Sequence, residues 1–242
     1  LIDSIAAGLP GANATAVSLC FSASWNGGTA VLDPARVAGK IVVCDRGVND
    51  RVDKSLAVQE AGGLGMVLIN TSPNSLVSDF HAVPTVHLAD TVRAAVKAYA
   101  ATAGATATIN AAVVDFATAA PFTASFSSRG PLRGASGDLL KPDLIAPGQD
   151  ILAGVSPVTT GRLFDLLSGT SMSSPHVAGL AALFKELRPG WSPMAIKSAL
   201  MTTGTDVLDG GTPPAAETNP VLIFRQGAGH VSPTRATEPG LV

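Results

Sequence analysis

At 242 residues the chain falls between one large domain and two ordinary ones, and either way it can bury a proper core. It is 46% hydrophobic and only 14% charged, yet much of that apolar share is alanine and no run of about 18 apolar residues occurs, which excludes a membrane span. The net charge of −2 comes from 16 basic and 18 acidic residues that form no block of either sign, so the basic stripe that nucleic acid would require is missing.

The first half, residues 1 to about 118, reads as a small α/β unit. Lys40-Ile-Val-Val-Cys44 is a short apolar run rich in β-branched residues behind Gly39, and suits a buried strand. From Asp53 to Ala61 the apolar residues Leu56, Ala57 and Ala61 recur at helical spacing, and Gly62-Gly63 stops them. Gly65-Met-Val-Leu-Ile-Asn70 is a second buried strand. Strand, helix and strand within about 30 residues predict a parallel pair joined by a crossover helix. A further short strand is expected over Val83 to Leu88. Asp90 is expected to cap a helix running to about Ala103, followed by Gly104 and another strand.

Gly62, Gly63 and Gly65 do not make a dinucleotide site, because they end a helix and lead into a strand, the reverse of the order that points a helix N-terminus at phosphate. His81 and His87 flank a strand with no partner carboxylate or cysteine at ligand spacing, so no metal site is expected there. The tripeptides Asn13-Ala14-Thr15 and Asn70-Thr71-Ser72 match the glycosylation acceptor pattern, which arises often by chance. For Cys20 and Cys44, spacing alone leaves a disulfide and two free thiols equally open.

The second half, from about Ala119, alternates Ser-, Gly- and Pro-rich loops with strong helices. Arg129, Arg133 and Lys141 are loosely clustered, but Asp138 and Asp143 lie among them, so a solvated mixed-charge loop is expected. Leu144-Ile-Ala-Pro-Gly148 and Asp150-Ile-Leu-Ala-Gly154 read as short strand ends and turns. Ser168-Gly-Thr-Ser-Met-Ser-Ser-Pro-His-Val-Ala-Gly179 opens a helix, with Pro175 expected in its first turn. Val177, Leu180, Ala181, Phe184 and Leu187 then form one apolar face, and Pro189-Gly190 ends the helix. Ser192 caps the next helix with Pro193 at its first position, and Gly204 follows it.

Ser171 stands out because it follows Gly169-Thr170 at the mouth of a helix. Unpaired N–H groups and the helix dipole there favour negative charge, which a serine attacking a carbonyl needs for its oxyanion. Local physics alone also allows a plain anion site or a cap.

The string SGTSMSSPHVAG resembles the nucleophile motif of the subtilisin-like serine peptidases, and further matches follow in that family's order. They are ASFSSRGP from Ala124, LKPDLIAPG from Leu140, WSPMAIKSALMTTG from Trp191, QGAGHVSP from Gln226 and the closing EPGLV. VAGKIVVCDRG and AGGLGMVLIN in the first half resemble the protease-associated domain inserted in one branch of the family, shared by plants and bacteria. The resemblance implies an α/β fold with residues 1–118 as the inserted domain and 119–242 as the C-terminal part of a parallel-sheet catalytic domain. It implies a secreted endopeptidase without a cofactor, acting on protein or peptide substrates, with no nucleic-acid or membrane partner.

Ser171 takes the nucleophile position; its backbone N–H would be one oxyanion donor, and the Thr170 hydroxyl an accessory one. His176 falls on a helix-internal histidine with a structural role, not on the general base. In the family's order Asp, His and the oxyanion Asn precede the inserted domain, so the chain, which begins at Leu1, reads as a C-terminal fragment that is inactive alone. Secretion also tips the two cysteines toward a Cys20–Cys44 disulfide. Two rivals stand beside this reading. One is an α/β-hydrolase triad of Ser171, Asp206 or Asp209, and His230; its nucleophile elbow would want glycine where Ser173 stands. The other is a protein-interaction module with no activity as an isolated chain.

Overall fold

A computed structural model describes residues 1–116, 121–207 and 222–242, and divides the chain into two units, Leu1–Val113 and Val114–Val242. The boundary expected at 118–119 lies outside the described residues. The fold class is α/β, as the sequence predicts.

In the first unit β1 (Ile2–Asp3) leads into three short helices, α1 (Ser4–Ala7), α2 (Ala14–Ser18) and α3 (Pro34–Val37). Then come β2 (Ile41–Asp45), α4 (Arg51–Glu60), β3 (Gly65–Ile69), β4 (Thr85–Leu88) and α5 (Arg93–Ala100). The four strands form one sheet in sequential order, every pair parallel, with Val43 beside Val67 and Leu68 beside His87. Both faces of this sheet are covered. Val42, Cys44, Met66 and Leu68 pack with Ala57 and Val58 of α4, while Val43, Val67 and Ile69 pack with Val96 and Ala100 of α5. Burial on two sides is why β2 and β3 read as continuous apolar runs and not as alternating ones.

The end of α4 shows what its glycines do. Gly62 has φ +76°, its N–H meets the Gln59 carbonyl at 2.9 Å, and the Gly63 N–H meets the Val58 carbonyl at 2.8 Å. That pair of bonds is a Schellman closure, which needs the left-handed conformation glycine adopts without penalty. Two expectations are corrected nearby. Asp90 makes no side-chain cap; it opens a 3₁₀ turn over Asp90–Val92 that runs into α5. The strand expected after Gly104 does not form: residues 105–115 carry no ladder partner. Cys20 and Cys44 are joined, with Cα atoms 5.8 Å apart, so the turn after α2 is tied to the middle of the sheet.

In the second unit β5 (Ile151–Gly154) pairs antiparallel with β6 (Phe164–Leu167) around α6 (Pro157–Thr160). Among the described residues, parallel pairing in this unit is confined to a bridge between Ile145 and His230. Helices α7 (Thr170–Leu187), α8 (Pro193–Thr202), α9 (Ile223–Gln226) and α10 (Pro233–Ala236) follow. Phe184, Ile196, Leu200 and Ala236 bury together, with Val177, Leu180 and Ala181 packed against them. Leu187 departs from the expected apolar face and is 58% exposed, because the helix ends there and Arg188 turns away from helical geometry. Ser192 caps α8 through the Ala195 N–H at 3.1 Å, with Pro193 in the first turn. No described helix is long and apolar enough to cross a membrane.

Candidate active site around Ser171

The turn that carries Ser171 is clamped by the Leu144–Gly148 segment. The Gly169 N–H donates to the Gly148 carbonyl at 2.7 Å, and Ser173 Oγ donates to the Ala146 carbonyl at 2.8 Å. Ser168 Oγ accepts from the Asp150 N–H at 2.8 Å and donates to the Asp150 carboxylate at 3.2 Å. Gly148 is held to its residue type by this packing: a methyl group there would overlap Ser173 Oγ and lie 3.0 Å from the Gly169 carbonyl oxygen.

Helix α7 starts at Thr170, so Ser171 is its second residue and both are exposed. The first four N–H groups of a helix have no carbonyl of their own helix to meet, and the partial positive charge of an 18-residue helix gathers there. The Met172 N–H folds back onto the Gly169 carbonyl at 3.0 Å. Pro175 lies deeper than expected, inside α7 and not in its first turn. Lacking an N–H, it leaves the Ser171 carbonyl without its helical donor, which loosens the helix just where the serine sits.

Each of the four histidines has a ring nitrogen bonded to a group other than Ser171. His176 Nδ1 bonds the Met172 carbonyl at 2.7 Å along the helix, and His230 Nδ1 bonds the Val231 carbonyl at 2.9 Å. His81 contacts Ser55 and His87 in the first unit. Among the described residues none is hydrogen-bonded to Ser171. The hydrolase-type triad therefore has no geometric support: His230 gives its Nδ1 to a backbone carbonyl and not to Asp206, and Asp209 lies outside the described residues. His230 does line a cavity of about 570 Å³ with Thr170, Ser173, Ser174 and Val177, and its backbone pairs with Thr205 in both directions, at 2.7 and 2.9 Å.

Sequence reasoning missed two features. Ser168, Asp150 and Gly148 shape the serine turn, and no local signal ties LIAPG to SGTS, which starts 20 positions after Gly148. The reading of His81 and His87 as lacking a carboxylate partner is corrected: Asp79 Oδ2 lies 3.9 Å from His81 Nε2, and the ligand atoms of Asp79, His81 and His87 all fall within 4.8 Å of one another. The signal is Asp-x-His ahead of a strand whose third residue, His87, completes the set. The two acceptor asparagines have internal roles: Asn13 caps α2, and Asn70 bonds Arg46 and the Asn74 carbonyl.

Comparison with known proteins gives a consistent answer. The model of the Subtilase family matches residues 20–229. The chain is 44% identical over 245 residues to subtilisin-like protease SBT1.7 of Arabidopsis thaliana, covering 95% of this chain and 31% of that protein. It is 47% identical over 227 residues to SBT1.3 of the same plant, covering 87% and 29%, and 40% identical over 265 residues to SBT5.4, covering 100% and 32%. The chain thus spans about a third of the length of these curated relatives.

Proposed function

The chain belongs to the subtilase family, and on that premise we propose that Ser171 is the nucleophile of a serine endopeptidase. The observation that supports this best is the placement of Ser171 as an exposed second residue at the open end of α7, in a turn clamped from both sides. Its Oγ attacks the scissile carbonyl carbon, and a general base takes the hydroxyl proton. The carbonyl oxygen becomes an oxyanion held by the Ser171 N–H, with the Thr170 hydroxyl assisting. Collapse of this adduct expels the amine, protonated by the same base, and leaves an acyl-enzyme that water hydrolyses.

The base, the carboxylate that orients it and the oxyanion asparagine come from sequence outside these 242 residues. Among the described residues none of His81, His87, His176 and His230 is hydrogen-bonded to Ser171, which supports that assignment. We assign residues 1–118 to a protease-associated domain and 119–242 to the C-terminal part of the catalytic domain. The Cys20–Cys44 bond fits a secreted protein, where an oxidising environment keeps such bonds closed. In the full-length protein, Ser171→Ala is expected to lower kcat by about 10⁶-fold while the protein stays folded. Residual peptidase activity within tenfold of the parent would refute the assignment.

A further inference from the structure

The first unit carries a second constellation, remote in sequence from Ser171. Asp79 and His81 sit in the loop between β3 and β4, and His87 projects from β4 on the same sheet face as Leu68, its partner in register. The Asp79 and His81 side chains are 9% and 8% exposed, and a cavity of about 340 Å³ opens beside them, lined also by Thr85 and His87. His81 Nε2 and His87 Nε2 are 2.8 Å apart. A tetrahedral zinc ion bound at 2.0–2.1 Å by two imidazoles holds their nitrogens about 3.3 Å apart, so roughly half an ångström of opening admits one.

The surroundings orient the ligands as such a site requires. Ser55 Oγ gives its one proton to the Val52 carbonyl at 2.7 Å, and accepts from the Ala82 N–H at 3.1 Å. At His81 Nδ1, 3.0 Å away, Ser55 Oγ is therefore an acceptor, which places the imidazole proton on Nδ1 and leaves the Nε2 lone pair facing His87 and Asp79. Arg51 grips Asp79 through Nε at 2.5 Å and Nη2 at 2.8 Å. Each carboxylate oxygen has two acceptor positions, so Oδ2 keeps one for a metal while Arg51 fixes the group. With the His81 proton on Nδ1, the 2.8 Å contact is His87 Nε2–H donating to His81 Nε2, and a metal ion bound there takes the place of that proton.

We propose that Asp79 Oδ2, His81 Nε2 and His87 Nε2 form a binding site for one zinc ion, with water as the fourth ligand. The ion would pin the β3–β4 loop to β4 and, through Ser55 and Arg51, to α4. This does not depend on the peptidase reading, since every residue involved lies in Leu1–Val113.

The chain, stripped with chelator, is titrated with Zn²⁺ by calorimetry and with Co²⁺ by visible absorption, and its histidine resonances are followed by NMR. One ion per chain is expected, with a four-coordinate Co²⁺ spectrum free of thiolate character and paramagnetic broadening at His81 and His87 but not at His176 or His230. Ser55→Ala, which releases the His81 tautomer, is expected to weaken binding by about 10- to 100-fold. His87→Gln is expected to abolish it, with the circular dichroism of the metal-free variant reporting the fold. No saturable binding, or broadening centred on His176 or His230, overturns the proposal, and the wild-type NMR result decides the matter even if a variant misfolds.

Discussion

Asp45, at the end of β2, shows how one buried charge ties the first unit together. It is 2% exposed, accepts from Arg93 Nε at 2.8 Å and Nη2 at 2.7 Å, from Ser18 Oγ at 2.7 Å, and from Lys97 Nζ at 3.3 Å. Burial alone raises its pKa, but the Arg93 and Ser18 hydrogen bonds and the charges of Lys97 and Arg93 outweigh it, leaving the carboxyl below its ordinary 3.8. A folded value below the unfolded one means that the unfolded chain binds the proton first as pH falls. The stabilisation is therefore complete above the ordinary carboxylate value and is lost as pH drops through the folded value. Breaking a buried pair costs about 3–5 kcal/mol, and with Arg93 38% exposed the loss for Asp45→Asn is expected nearer 2 kcal/mol. Thermal melts from pH 7 down to pH 2 check both points: the variant starts less stable and loses less on acidification. A variant melting like the parent at pH 7 would remove Asp45 from the account.

At the scale of elements, the sequence was most legible where one local signal sufficed. The β2 and β3 runs, the α4 periodicity, the Gly62-Gly63 stop and the Ser192-Pro193 start each combine spacing with a cap or turn chemistry, and each appears within two residues of its expected bounds. Legibility failed where distant residues decide. The strand expected after Gly104 needs a sheet edge to pair with, and β-propensity cannot supply one. Proline's usual position puts Pro175 in the first turn, whereas α7 starts earlier, at Thr170, next to the contacts with Ala146 and Gly148. Ser171 was legible as a candidate, but nothing in spacing revealed that Gly148 shapes its turn. If Ser171 is the nucleophile, Gly148→Ala in the full-length protein is expected to displace Ser173 and Gly169 and to lower kcat about 10²-fold, as misplacement by an ångström does, with KM little changed. Unaltered kcat would mean that the clamp does not position the serine.

For the whole molecule, the two units differ in how much of their apolar surface they bury. The first covers its sheet on both faces and closes a disulfide within its core. The second buries few large side chains among the described residues and exposes Leu152, Leu163, Phe164 and Leu183 at 57–68%. Where such side chains lie together they mark a contact face or a liability to aggregate. Residues 1–113 expressed alone are thus expected to unfold cooperatively without binding a hydrophobic dye, and residues 114–242 alone to bind the dye strongly. The reverse pattern would contradict the difference in packing. The central claim concerns Ser171, and its most direct measurement is labelling with a fluorophosphonate probe, mapped by peptide mass spectrometry in the 242-residue chain and in the full-length protein. Labelling at Ser171 in the full-length protein, none in the isolated chain and none in Ser171→Ala would bear out a nucleophile whose base lies outside this sequence. Labelling of the isolated chain at Ser171 would contradict the external base, and labelling of the full-length protein at a different serine would contradict the nucleophile itself.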